Sequence, residues 1–181
     1  MKKAAIILGV LLSLILILAV ISPNDFILER TTVISKPKDK VFSELKFLKN
    51  HEKWNAWSKK DPKMKKEFKG TDGAPGFISS WESEHEEVGT AEQEILNITE
   101  GQKIETQIRF KKPFTANFMS YIILESSGEN STKVILGMSD KMKFPMTVIS
   151  FIVNVCLGNQ NKIISNMDES LKNLKTLLES E

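Results

Sequence analysis

No charged residue occurs between Lys3 and Asp25, and sixteen of the eighteen residues from Ala4 to Ile21 are apolar, Gly9 and Ser13 being the exceptions. As an α-helix this run would be about 27 Å long, against roughly 30 Å for the hydrocarbon core of a bilayer. Its thirteen Leu, Ile and Val residues would together favour insertion by roughly 4–8 kcal/mol. A cleaved signal peptide shares the plan of two lysines followed by an apolar run. Against cleavage, no Ala-x-Ala site is present, the run exceeds a usual signal core, and Pro23 would follow the most plausible cut after Ser22. The expectation is therefore an uncleaved N-terminal transmembrane anchor over residues 1–22, with residues 4–21 in the membrane as a single pass. Lys2 and Lys3 favour a cytoplasmic N-terminus and an extracytoplasmic domain, although Arg30, Lys36, Lys38 and Lys40 weaken the asymmetry. Ser22 to Asp25 reach at most ~14 Å when extended, so this reading holds the domain against the bilayer surface.

The rest of the chain has a different character. Setting aside Lys2 and Lys3 from the 25 basic residues leaves 23, against 23 acidic ones. Neutrality argues against nucleic-acid binding, which needs a basic face, although a neutral sum can conceal a local patch. Its length suits one domain with a real core. Cys156 is the sole cysteine, which excludes an internal disulfide; in its apolar stretch it reads as a small buried side chain. The oligomeric state is not written in the sequence.

The periodicities predict an α+β order. Phe26–Ile34 is rich in β-branched and aromatic residues and reads as a first strand. Pro37 and Asp39 open a helix carrying Val41, Phe42, Leu45 and Leu48 on one face and ending near Asn50. A loop with Trp54, Trp57, Asp61 and Pro62 follows, and Gly70, Gly73, Pro75 and Gly76 mark turns. From Gly76 to Lys141 come five antiparallel strands: Phe77–Glu82, Glu87–Thr99, Lys103–Phe110, Thr115–Glu125 and Thr132–Asp140. In the third, Ile104, Thr106, Ile108 and Phe110 alternate with Lys103, Glu105, Gln107 and Arg109, the pattern of a sheet wet on one side. The apolar parity of the long strand changes between Ile95 and Leu96, which predicts a bulge or bend. Met146–Leu157 is apolar nearly all round and reads as a buried helical segment or one dipping into a membrane interface. Ile164, Met167, Leu171, Leu174 and Leu178 form the stripe of a final helix lying on the sheet.

Several short motifs add to this order. They are Val33-Ile34-Ser35-Lys36-Pro37 before Val41-Phe42, Trp54-Asn55-Ala56-Trp57-Ser58 before Asp61-Pro62, and Phe68-Lys69-Gly70 with Gly73, Gly76 and Trp81. Val88-Gly89 ahead of Glu94-Ile95, Phe110 with Pro113-Phe114, and Leu171 with Leu174-Lys175 complete the set. In this order they resemble the START-like or Bet v 1-like (SRPBCC) helix-grip superfamily, and within it the polyketide cyclase/dehydrase and lipid transport branch. The chain departs from that pattern at Ala91, where a second glycine is usual, and in lacking a glycine before the last leucines. The resemblance implies a START-like ligand-binding domain over residues 26–180, a curled antiparallel sheet wrapped on a long C-terminal helix. It also implies a cavity between them for a lipid or other hydrophobic small molecule.

Inward strand parity makes Trp81, Ile95, Ile108, Phe110, Phe118, Leu136 and Met138 the cavity candidates, with Ile164 and Met167 from the last helix. Gln93, Thr106 and Ser120 are polar groups on the same face. The competing role of each is plain core packing. Trp54 and Trp57 either pack the loop onto the sheet or rim the cavity. His51, His85 and Cys156 lack metal-ligand spacing. The sequence assigns no metal, no cofactor and no catalytic residue. Membrane-tethered, non-catalytic binding of a hydrophobic molecule is the leading function. An enzyme of the cyclase/dehydrase type is an alternative, with Arg109 or Tyr121 polarising a carbonyl and Glu94 or His85 moving a proton. A protein-interaction or stress-response module using Met146–Leu157 or the Trp54/Trp57 loop is another.

Overall fold

The computed structural model describes residues 2–180, excepting the side chains of Ala4, Ala5, Leu8, Leu11, Leu12, Leu14, Ile15, Leu16 and Cys156; the expectation that Cys156 is buried falls outside the described residues. The chain divides into two compact units, Ile27–Asp140 with Ile164–Glu181, and Met1–Phe26 with Lys141–Ile163. In chain order the elements are α1 (Lys2–Ile21), β1 (Asp25–Ile34), α2 (Lys38–Leu45), α3 (Ala56–Lys60), β2 (Lys65–Lys69), β3 (Ile78–Glu82) and β4 (Thr90–Thr99). Then follow β5 (Lys103–Lys112), β6 (Ala116–Ser126), β7 (Thr132–Lys141), α4 (Met146–Phe151) and α5 (Asn159–Glu179).

In the larger unit the strands form one sheet ordered β1-β7-β6-β5-β4-β3-β2, with antiparallel pairing from β2 through β7. The expected break in β4 is real. Pairing with β5 shifts register between Ile95 and Asn97, so Leu96 and Asn97 are both exposed while Ile95 and Ile98 lie on the core side. A second shift falls at Thr90/Ala91, just after Gly89 (φ 62°), where a β-carbon would collide with the Lys112 carbonyl. Both irregularities bend the strand.

Local chemistry sets the helices. Pro37 precedes α2, Asp39 lies in its first turn, and Val41, Phe42 and Leu45 are buried. The helix stops at Leu45, short of the expected Asn50. Phe47 is extended (φ −93°, ψ 113°), and a 3₁₀ turn, Leu48–Lys53, restarts the coil. The carboxylate that caps this restart comes from Asp72, which accepts the backbone N–H groups of Leu48 (2.9 Å) and Lys49 (3.1 Å). The predicted Trp loop contains α3, capped by Asn55 Oδ1, which accepts from the backbone N of Trp57 (2.9 Å) and Ser58 (3.3 Å).

The main core joins Ile34, Val41, Phe42, Leu45 and Trp54 to Ile104, Ile122, Leu124 and Val134 of the sheet and to Leu171, Leu174 and Leu178 of α5. Leu48, Phe77 and Ile95 form a second cluster. Polar bonds fix α5 along β1: Arg30 Nε to Asp168 Oδ1 (2.6 Å), Lys175 Nζ to the Val33 carbonyl (2.7 Å), and Ser35 N to Glu179 Oε1 (2.7 Å).

In the smaller unit α1 is followed by an Asn24 carbonyl that accepts from Met142 N (2.9 Å). After α4 the coil widens into a π turn, Ile152–Cys156, and ends before Gly158 (φ 72°). Met146–Leu157 reads in the sequence as a buried helix or one dipping into a membrane interface; among its described residues only Thr147 and Val148 are buried, and Met146, Ile149, Ile152, Val153, Val155 and Leu157 are exposed. Among the described residues, no helix is long and apolar enough to cross a membrane. This corrects the expected single-pass placement and the extracytoplasmic domain that went with it. A span needs about 20 consecutive apolar residues, and the expectation counted eight apolar side chains between Ala4 and Leu16 that lie outside the described ones.

Candidate functional site

The core-facing side of the sheet changes character along its strands. Where α5 carries Leu171, Leu174 and Leu178, the space under it is filled by Ile104, Ile122, Leu124 and Val134. Leu136 is half-buried and packs against that core. Further along the same strands the cover thins. Ile108, Phe110, Phe118, Met138 and Trp81 are all half-buried, as is Ile164 of α5. The register places Ile108 opposite Phe118 and Trp81 opposite Ala91, itself opposite Phe110. The result is a row of aromatic edges meeting faces: Trp81 and Phe110 at 6.3 Å and 88°, Phe110 and Phe118 at 6.1 Å and 77°.

Ile95 and Met167 are wholly buried, and Thr106 nearly so. Thr106 also carries the polar link of this face. Its hydroxyl donates to the Ser120 carbonyl (3.3 Å) and accepts from Gln93 Nε2 (3.0 Å).

Beside the aromatic row, and sharing Trp81 and Gln93 with it, is a cleft of about 70 Å³. One wall is the 3₁₀ turn and α3, through Leu48, His51, Glu52, Asn55, Trp57 and Ser58; the other is β2 to β4, through Met64, Lys66, Ser79 and Val88. Trp57 therefore lines a cleft, whereas Trp54 is sunk in the main core. His51 is 8% exposed, and its Nε2 donates to the Leu45 carbonyl (2.7 Å). Burial pushes its pKa down to about 4, against smaller upward pulls from that bond and from Asp72. The ring is neutral at pH 7. Glu52 and Lys66 neutralise each other across the cleft at 2.9 Å, so no net charge faces its interior.

Asn55 had a readable signal, an N-cap residue ahead of Ala56-Trp57. His51, Ser58 and Ser79 had none, because they come from three separate elements, the 3₁₀ turn, α3 and β3, and the first amides of that turn are held by Asp72 of a distant loop.

The groups considered for proton chemistry lie elsewhere. Arg109 ion-pairs with Glu92 (2.7 Å) and Glu94 (2.8 Å) on the opposite face of the sheet, and these carboxylates raise its pKa while Arg109 and Lys111 lower that of Glu92. Tyr121, on that same face, donates to Glu29 Oε1 at 2.5 Å; burial, then this carboxylate, raise its pKa to about 12. His85 sits in the β3–β4 turn, its Nδ1 accepting from Glu87 N (3.2 Å). Among the described residues, no three His, Cys, Asp or Glu side chains gather as a metal would require.

No family profile matches the chain, and no curated protein does. Solved structures do. Truncated norcoclaurine synthase from Thalictrum flavum superposes with a TM-score of 0.61 at 12% identity, covering 85% of this chain and 93% of that one. Ara h 8.0201 gives 0.50 at 14% identity, over 87% and 99%. The fold is Bet v 1-like. A protein from Arthrobacter aurescens gives 0.58 at 12% identity, over 86% and 87%. Identities this low establish the Bet v 1-like architecture alone, a seven-stranded curled sheet with a long C-terminal helix, and transfer no residue roles.

Proposed function

We propose that this chain is a non-catalytic binding protein for a hydrophobic small molecule, held on the half-covered part of the sheet. One observation carries the reading. Ile108, Phe110, Phe118, Met138 and Trp81 are contiguous apolar side chains left half-buried on a face whose other end is packed solid. A packed end gives rigidity and an open end gives surface to bury. Covering about 300 Å² of it would contribute on the order of 7 kcal/mol before ordering costs. The Bet v 1-like fold agrees with a ligand-binding role. The pairing of Arg109 with Glu94, and of Tyr121 with Glu29, on the far face weighs against the cyclase/dehydrase alternative.

Titration of the whole chain with n-decanol, followed by side-chain NMR signals, tests this. Shifts concentrated at Ile108, Phe110, Phe118 and Met138, and roughly tenfold weaker binding by Phe110→Ala, are expected. Shifts confined to Met146–Leu157, or none at all, would overturn it.

A further inference from the structure

We propose that the cleft between the 3₁₀ turn, α3 and strands β2–β4 is a head-group site for an uncharged, hydroxyl-bearing amphiphile whose apolar chain runs along the Trp81–Phe110–Phe118 row. This rests on the reading of that row as a ligand surface and adds the chemistry of the ligand's polar end.

The hydrogen-bonding sense of the cleft is fixed at three side chains. A carbonyl can only accept, so His51 Nε2, 2.7 Å from the Leu45 carbonyl, carries the proton and Nδ1 keeps a bare lone pair. Thr106 spends its proton on the Ser120 carbonyl, so the Gln93 atom that meets Thr106 is the donating Nε2, which leaves Oε1 as an acceptor. Asn55 Oδ1 takes two backbone N–H groups, which leaves Nδ2 as a donor. The hydroxyls of Ser58 and Ser79 complete the lining.

Two unspent acceptors, two amide nitrogens with an N–H still to give (Asn55 Nδ2 and the second hydrogen of Gln93 Nε2) and two hydroxyls suit groups that donate and accept together. Hydroxyls do both. A carboxylate or phosphate would face the lone pairs of His51 and Gln93. A quaternary ammonium would leave both without a donor, and unmatched buried polar groups carry a high penalty. The Glu52–Lys66 pair leaves no counter-charge for either ion. Size agrees as well: about 70 Å³ holds roughly five waters, a volume suited to a head group of roughly that many heavy atoms. Trp81 and Gln93 line the cleft and also stand on the sheet face, Trp81 edge-on to Phe110, so head and tail have adjoining places.

The test uses the full chain and three ten-carbon probes below their micelle concentrations: 1-monodecanoylglycerol, decanoate and decyltrimethylammonium. Calorimetry is expected to show the glyceride binding at least tenfold tighter than either ion, with NMR shifts at Ser58, Ser79 and Gln93. Gln93→Leu and, separately, Ser79→Ala should erase that preference. Equal affinity for all three probes, or a preference that survives both substitutions, overturns the head-group site and leaves the apolar surface standing. Failure of every probe to bind overturns both.

Discussion

The hydroxyl of Ser170 on α5 accepts the backbone N–H of Ala56 at the head of α3, at 2.9 Å, and donates to the Asn166 carbonyl at 2.7 Å. This wholly buried residue joins the C-terminal helix to the wall of the cleft across 114 positions of sequence. Ser170→Ala strands a buried amide. It should cost about 1–3 kcal/mol in urea unfolding, whereas Ser170→Thr, which keeps the hydroxyl, should lose less if its added methyl is accommodated.

Asp72 is expected to behave as a remote helix cap. Asp72→Ala removes acceptors from Leu48, Lys49 and Gly73 and should destabilise by about 0.5–2 kcal/mol. Asp72→Asn retains one oxygen and should lose less. Equal unfolding midpoints for both variants and the parent would refute the capping role.

His51 gives the fold an acid sensitivity. Its folded pKa of about 4 lies below the unfolded value of about 6.5, so the unfolded chain binds the extra proton first. Its contribution is undiminished above pH 6.5 and is lost as the pH falls toward 4. At pH 5 the loss relative to pH 7 should be roughly 2 kcal/mol from this group. His51→Gln should flatten the stability profile between pH 7 and 5. A variant as pH-sensitive as the parent would show that another group titrates there.

Gly137 is required by its neighbour. The ring of cross-strand Tyr121 occupies the space a β-carbon would need. Gly137→Ala should destabilise by about 1–3 kcal/mol, and most of that penalty should vanish in a Tyr121→Ala background. Chemical denaturation of the four members of the cycle measures the coupling.

The parts of this architecture that follow from nearest neighbours could be read in the sequence. Alternation in Lys103–Phe110 located β5 and its two faces; the parity change at Ile95 located the bulge; spacing from Ile164 to Leu178 gave α5. Motif order then supplied the helix grip that strand alternation alone leaves open. Contacts between distant segments were not legible. Asp72 caps the start of the 3₁₀ turn 24 residues upstream, and that turn forms part of one wall of the cleft. Composition also misled at the N-terminus, where an apolar run was counted as a span that the described residues do not provide. In the candidate row, the sequence could not separate Ile95 and Met167, which are sealed, from Ile108 and Phe110, which are half open. That difference depends on how far cover extends along each strand, and alternation is blind to it.

The bulge at Leu96 has a consequence for how the domain comes apart. By skipping one residue, β4 presents Ile95 to the Leu48–Phe77 cluster and Ile98 to both clusters at once. One side chain is thus common property of the two cores. Melting of the cleft wall would loosen Ile98, and loosening Ile98 would reach the interior beneath α5. Hydrogen exchange should find the slow amides on either side of Leu96 opening together, as one cooperative block instead of two.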